Sequence, residues 1–194
     1  MHYLKTAGVL FAYNITMSLV AYGITMIQLV ELRMVLLILN IIIYCSAVFA
    51  LQMKEGMDSV KVLYLNNRSR EKIIETGEDI KIRRSEEYKT FKGFLFGALA
   101  YSPYLLLMIA HAIITAINPT NFIAGEIGAT IYMMFYAPIG LAFEGALTAG
   151  VYYIALYGLV LVSVLSGVAY ILGARKIFKQ HERIESYNKS IYGE

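Results

Sequence analysis

Residues 34–53 read MVLLILNIIIYCSAVFALQM, twenty positions without one charged side chain. An α-helix rises 1.5 Å per residue, so a run of this length matches the roughly 30 Å hydrocarbon core of a bilayer. Two further runs have the same character, 6–28 and 93–117, and apolar residues continue from Asn118 to Leu172 with no lysine or arginine. The whole chain of 194 residues follows suit. Its hydrophobic fraction is 58% and its charged fraction 16%, against about 45 to 50% and about 25% in ordinary soluble domains. So much apolar surface exceeds what a small aqueous core can bury. The sequence therefore predicts an all-α, polytopic integral membrane protein, and excludes a disordered chain, a disulfide-stapled module and a soluble enzyme.

Spans at 6–28 and 34–53 leave only Val30, Glu31, Leu32 and Arg33 between them, which implies a tight antiparallel helical hairpin. The first run is too long for the apolar region of a signal peptide and should remain as a span. After 93–117, Asn118-Pro119 is a helix stop, and charge decides how the remainder crosses. With four spans, the last at 151–172, sixteen of the seventeen basic residues fall on one side and only Arg33 on the other; five spans would divide them eleven to six. Basic residues concentrate on the cytoplasmic side of membrane proteins. The expected fold is thus a four-helix transmembrane bundle with both ends cytoplasmic, one membrane domain from 1 to 194. Residues 118–150 are left outside, although Ile131 to Tyr136 are too apolar for a solvated loop. A break at Pro138-Ile139-Gly140 divides that segment into halves, which fits a re-entrant hairpin or an interfacial helix equally well.

Eighteen of the thirty-one charges lie between Gln52 and Lys92, and eight more between Ala174 and Glu194. The segment 54–92 is expected to continue the second span with Met53, Met57, Val60 and Tyr64 on one face, and to break at Asn66-Asn67. A short helix capped by Ser69 and stopped by Gly77 follows, then a strand-like alternation at Ile80 and Ile82, then a helix capped by Ser85 that leads into the third span. In the tail 174–194, Ile177, Ile184 and Ile191 recur every seven residues with Gln180 and Tyr187 between them, a short coiled-coil-like seam.

No catalytic constellation is present in the sequence. His2, His111 and His181 are scattered, the single Cys45 sits inside an apolar run as a small core residue, and no phosphate-binding Gly-Lys-Ser loop, His-Glu-x-x-His or Gly-x-Ser-x-Gly occurs. No cofactor, metal or nucleic-acid partner is expected, and the three Asn-x-Ser/Thr tripeptides are chance matches. Ionisable and amide groups at membrane depth carry the functional weight, because each costs free energy unless partnered. Glu144, just after the proline break, heads this group; with His111, Asn14 and Asn40 it outlines a candidate polar path. The asparagines also suit simple helix-to-helix hydrogen bonds. Small residues at four-residue spacing (Gly93 and Gly97; Ala142, Ala146 and Gly150; Ser163 and Gly167) predict close helix contacts and indicate self-association only weakly. Tyr3, Tyr101, Tyr104 and Tyr170 read as interfacial anchors, and Tyr22 and Tyr157 as deeper residues needing partners.

Two functions fit this pattern. The first is a non-catalytic accessory or scaffold subunit of a membrane assembly, docking a protein partner through 54–92 or the tail. The second is a small ion or solute transporter component using Glu144. A multi-pass protein of a prokaryotic plasma membrane is the simplest setting for either.

Overall fold

A computed structural model describes residues 2–77, 80–117 and 150–192. Among these the regular structure is helical: α1 (His2–Thr25), α2 (Val30–Thr76), α3 (Lys92–Ile117) and α4 (Gly150–Tyr192). All four are long and apolar enough to cross a membrane. Their exposed surface agrees with that. On α2, Val35, Ile38, Leu39, Ile42 and Ile43 form an exposed stripe at helical spacing, a face that lipid can solvate and water cannot.

The opposite face of α2 is a buried seam through Leu37, Asn40, Tyr44, Val48, Gln52, Gly56 and Val60. That seam crosses the end of the apolar run without interruption, which is why α2 and α4 stay together beyond it. At about 1.5 Å per residue α2 measures roughly 70 Å, more than twice the hydrocarbon thickness. Helices consecutive in the chain alternate in direction. Tyr44 of α2 meets Asn14 of α1 while Asn40 meets Met17. Residues 93 and 97 of α3 meet Tyr170 and Ser163 of α4, so these two also run antiparallel; α2 and α4 run parallel, Gly56 facing Tyr170 and Tyr64 facing Phe178. All four helices contribute to one apolar core centred on Leu10, Tyr44, Phe96, Tyr101 and Tyr170. A smaller cluster of Val60, Ala174 and Ile177, with Met57 and Tyr64 packed against it, joins the α2 and α4 extensions.

Several local expectations are corrected. The first turn lies at 26–29, earlier than 30–33, closed by Met26 N–H to Gly23 O at 3.2 Å and Ile27 N–H to Ile24 O at 3.1 Å. Val30 already opens α2, with Glu31 in the first turn where an acid is favoured. Asn66-Asn67 does not break the helix. The Asn66 amide is buried and occupied from outside: its nitrogen donates to Glu87 at 2.8 Å and its oxygen accepts the Arg83 N–H at 3.2 Å. An asparagine disrupts a helix by competing for nearby backbone groups, and a tertiary partner removes that competition. Ser69 accordingly sits inside α2, its hydroxyl donating to Leu65 O at 2.9 Å. Gly77 does end α2, in the left-handed conformation at φ 69°, its N–H bonded to Ile73 O. Residues 80–83 form no strand, and Ser85 caps no helix. It lies in a turn with Glu86 N–H on Arg83 O, and α3 begins only at Lys92.

Tyrosines are also placed differently from expectation. Tyr101, Tyr104 and Tyr170 are buried in the core, not displayed at a membrane interface. Cys45 is half-buried against that core. Gly93, Gly97, Ser163 and Gly167 do mark a close contact, that of α3 with α4: a Cβ on Gly97 would stand 2.7 Å from Ser163 Cα, and one on Gly167 would run into the Phe94 ring. Ala142 and Ala146 lie outside the described residues.

Two glycines that the four-residue spacing passes over bring α2 against α4. A Cβ on Gly56 would overlap the Tyr170 carbonyl, and one on Gly173 would overlap the Met53 carbonyl. Gly8 and Gly23 of α1 have open space around them. Gly56→Ala and Gly173→Ala are each expected to lower stability by about 2 kcal/mol or more through overpacking against backbone, while Gly8→Ala and Gly23→Ala leave it unchanged or raise it slightly. Thermal unfolding of the four variants in detergent checks the contrast.

Candidate functional site

Asn14 and Asn40, two of the four candidate path residues, meet at the α1–α2 contact one helical turn apart. Both are buried. The Tyr44 hydroxyl donates to Asn14 Oδ1, and Asn40 Nδ2 reaches Met17 O at 3.4 Å. Ser18, one turn along α1 from Asn14, donates to the Asn14 carbonyl at 2.8 Å. The Tyr101 and Tyr104 rings close the cluster from α3, their centroids 4.9 Å apart, and Phe11 lies 5.6 Å from Tyr104. A small polar patch is thus enclosed by aromatic walls in the middle of the helical core. Asn14 Nδ2 and Asn40 Oδ1 make no hydrogen bond to protein, so one donor and one acceptor remain for another polar group.

The other two candidates are not joined to this patch by anything described. Glu144 and the break at Pro138 to Gly140 lie outside the described residues, as does the side chain of His111, whose backbone belongs to α3. Among the described residues no group of histidine, cysteine and carboxylate side chains could hold a metal ion.

A second polar layer, at the end of the apolar segment, has no counterpart in the sequence-based expectations. Lys92 is fully buried at the start of α3, with Nζ 3.3 Å from the Glu87 carbonyl and over the rings of Tyr3 and Phe96 at 5.2 and 5.7 Å. Glu55, Glu86 and Glu87 supply negative charge around it and Lys89 opposes them. Aromatic faces and a carbonyl are the partners a desolvated ammonium requires. Ser59, Ser166 and Tyr170 are buried at the same level. Tyr88 anchors the 77–91 connector there, its N–H on Ser59 O at 3.1 Å and its ring stacked on Tyr170 at 5.5 Å. Arg70 holds the connector from the other side through Glu87 at 2.5 Å. The sequence signal for this layer was available: a lysine directly before an apolar run, with Phe96 one turn along the same helix and Tyr3 near the start of α1.

Farther along, Tyr64 stacks on His181 at 3.8 Å between ring centroids and meets Phe178 edge-on at 6.2 Å. Packing of α4 on α2 ends at that point. Ile177 of the heptad is buried, but Gln180, Ile184 and Tyr187 are exposed, so the seam turns away from the chain's own helices.

The hydrogen bond between Tyr44 and Asn14 predicts measurable coupling. Tyr44→Phe and Asn14→Leu should each destabilise the protein, and the double variant should fall short of the sum by about 0.6 kcal/mol, the average for such bonds in membranes. A double-mutant cycle on unfolding in mixed micelles measures it, and strict additivity would remove the bond from the account.

No protein-family model, curated protein or solved structure matches the chain, which leaves its own geometry as the guide to function.

Proposed function

We propose that this protein is a non-catalytic subunit of a membrane assembly, a four-helix transmembrane bundle whose α2 and α4 extensions dock a protein partner on the cytoplasmic side. The observation that carries the reading is the free end of α4. Ile184 is 48% and Tyr187 64% exposed, three residues apart on a helix that continues to Tyr192 with Lys179, Arg183 and Lys189 around them. In a charge-rich segment, an aqueous setting, two large apolar side chains on one helix face are solvated at a cost that a second helix would remove. Ile184 and Tyr187, beyond the point where Ile177 packs on α2, suit a partner helix laid along the end of α4.

The sidedness follows from charge. Both extensions lie on the side that holds sixteen of the seventeen basic residues, and the positive-inside rule makes that side cytoplasmic. A prokaryotic plasma membrane is the setting this reading adopts.

Native mass spectrometry of the full chain, purified in mild detergent from its own host membrane at natural abundance, tests the proposal. A stoichiometric heterologous subunit is expected, and Ile184→Asp with Tyr187→Asp should release it while leaving thermal stability unchanged, since neither side chain packs within the chain. Recovery of only a monomer or a homo-oligomer would overturn it.

A further inference from the structure

Where the N-terminal turn of α1 crosses α2, a cavity of about 320 Å³ opens at the boundary between the apolar and charged parts of the molecule. This volume is at the lower end of the range for small-molecule sites. Its polar half is formed by Lys5, Thr6, Gln52, Lys54, Glu55 and Asp58, and its apolar half by Val9, Leu10 and Leu51.

Gln52 is the informative residue. It is 1% exposed, yet neither its carboxamide nitrogen nor its oxygen has a hydrogen-bond partner in the protein. A buried amide in that state costs free energy unless something polar reaches it. Lys5 and Lys54 stand at the rim, both exposed. The two carboxylates of the lining each have another cation beside them. Asp58 is held by Lys61 at 3.0 Å, and Glu55 contributes to the negative field around Lys92. The cleft therefore offers two ammonium groups, a threonine hydroxyl and an amide N–H, a donor set suited to phosphate oxygens. Below it, Val9 and Leu51 are 51% and 38% exposed on the lipid-facing surface.

We propose that this cleft binds the headgroup of an anionic phospholipid, with the phosphodiester between Lys5 and Lys54, the Gln52 amide donating to it from beneath, and an acyl chain lying over Val9 and Leu51. The position suits a lipid, since Lys5 directly precedes one apolar run and Lys54 directly follows another, placing both ammonium groups at headgroup depth. Two ammonium groups that can meet one phosphodiester favour a headgroup without a cation of its own over a zwitterionic one. The site is independent of the partner-docking surface on α4.

The test uses the delipidated full-length protein in nonionic detergent, titrated with dioleoyl phosphatidylglycerol and followed by native mass spectrometry. One tightly retained lipid per chain is expected. Lys5→Gln with Lys54→Gln should weaken retention about twentyfold or more. Gln52→Leu should weaken it too while leaving the melting temperature equal to or above that of the parent, because it removes a buried amide without changing the packing volume much. Equal retention of dioleoylglycerol, which lacks the phosphate, would overturn the proposal. So would undiminished binding by the double lysine variant, or binding of inorganic phosphate as tight as that of the lipid, which would mark a site for the free anion.

Discussion

Two backbones touch at the membrane boundary of this protein, and the remaining arrangement depends on that contact. Gly56 lies against the Tyr170 carbonyl and Gly173 against the Met53 carbonyl, so each helix gives up a side chain where the other's main chain passes. Among lipid-exposed helices there is no hydrophobic gain from association, and close approach through small residues is the principal source of attraction. With α2 and α4 fixed in parallel, Tyr170 is driven toward α3, where Gly93 accepts its ring. The same ring receives Tyr88 from the connector. A chain of space given and space filled thus runs from α2 through α4 to α3.

Core packing is unusually aromatic, and its polar atoms define two levels. In the middle, the Tyr44–Asn14 and Asn40–Met17 hydrogen bonds hold α1 to α2, with Tyr101 and Tyr104 behind them. At the boundary, Lys92 is held by Tyr3, Phe96 and the Glu87 carbonyl. These groups cannot be exchanged for leucine without loss of partner geometry, so they fix which helix faces which, a role that apolar contacts in lipid perform poorly. Tyr44 shows why tyrosine suits this position: its flat ring fills the interior while its hydroxyl donates to Asn14 Oδ1 at the edge.

Charge-free length and the clustering of charges made the four helices readable from the sequence, and Gly77 as a helix stop followed from its own backbone freedom, although the helix it ends is α2 and not a separate short one. Asn66 was misread because its partners, Glu87 and Arg83, are close to it only after the connector has folded back. Ser85 and the acids behind it look like a helix start by local rules, yet Glu87 is drawn instead to Arg70 and Asn66. Tyr101, Tyr104 and Tyr170 show the same limit: interfacial placement is a statistical tendency, and the empty space beside Gly93 and Gly158 decides where such rings go. Within the polar path, Asn14 and Asn40 were recognisable as unusual residues in apolar runs. Tyr44, the partner of Asn14, was hidden, since nothing in spacing alone separates it from the other tyrosines.

The uninterrupted course of α2 has a mechanical consequence. A helix that passes from lipid into the charged region without a hinge behaves as a lever that pivots where it leaves the bilayer. Tilting its apolar arm by about 10° would swing the tip of the polar arm, roughly 35 Å beyond the boundary, through about 6 Å. Bilayer thickness sets such tilts. Because α4 is clasped to α2 as far as His181, the two arms would move as one rod, and the thickness of the bilayer would be read out as a displacement well clear of it.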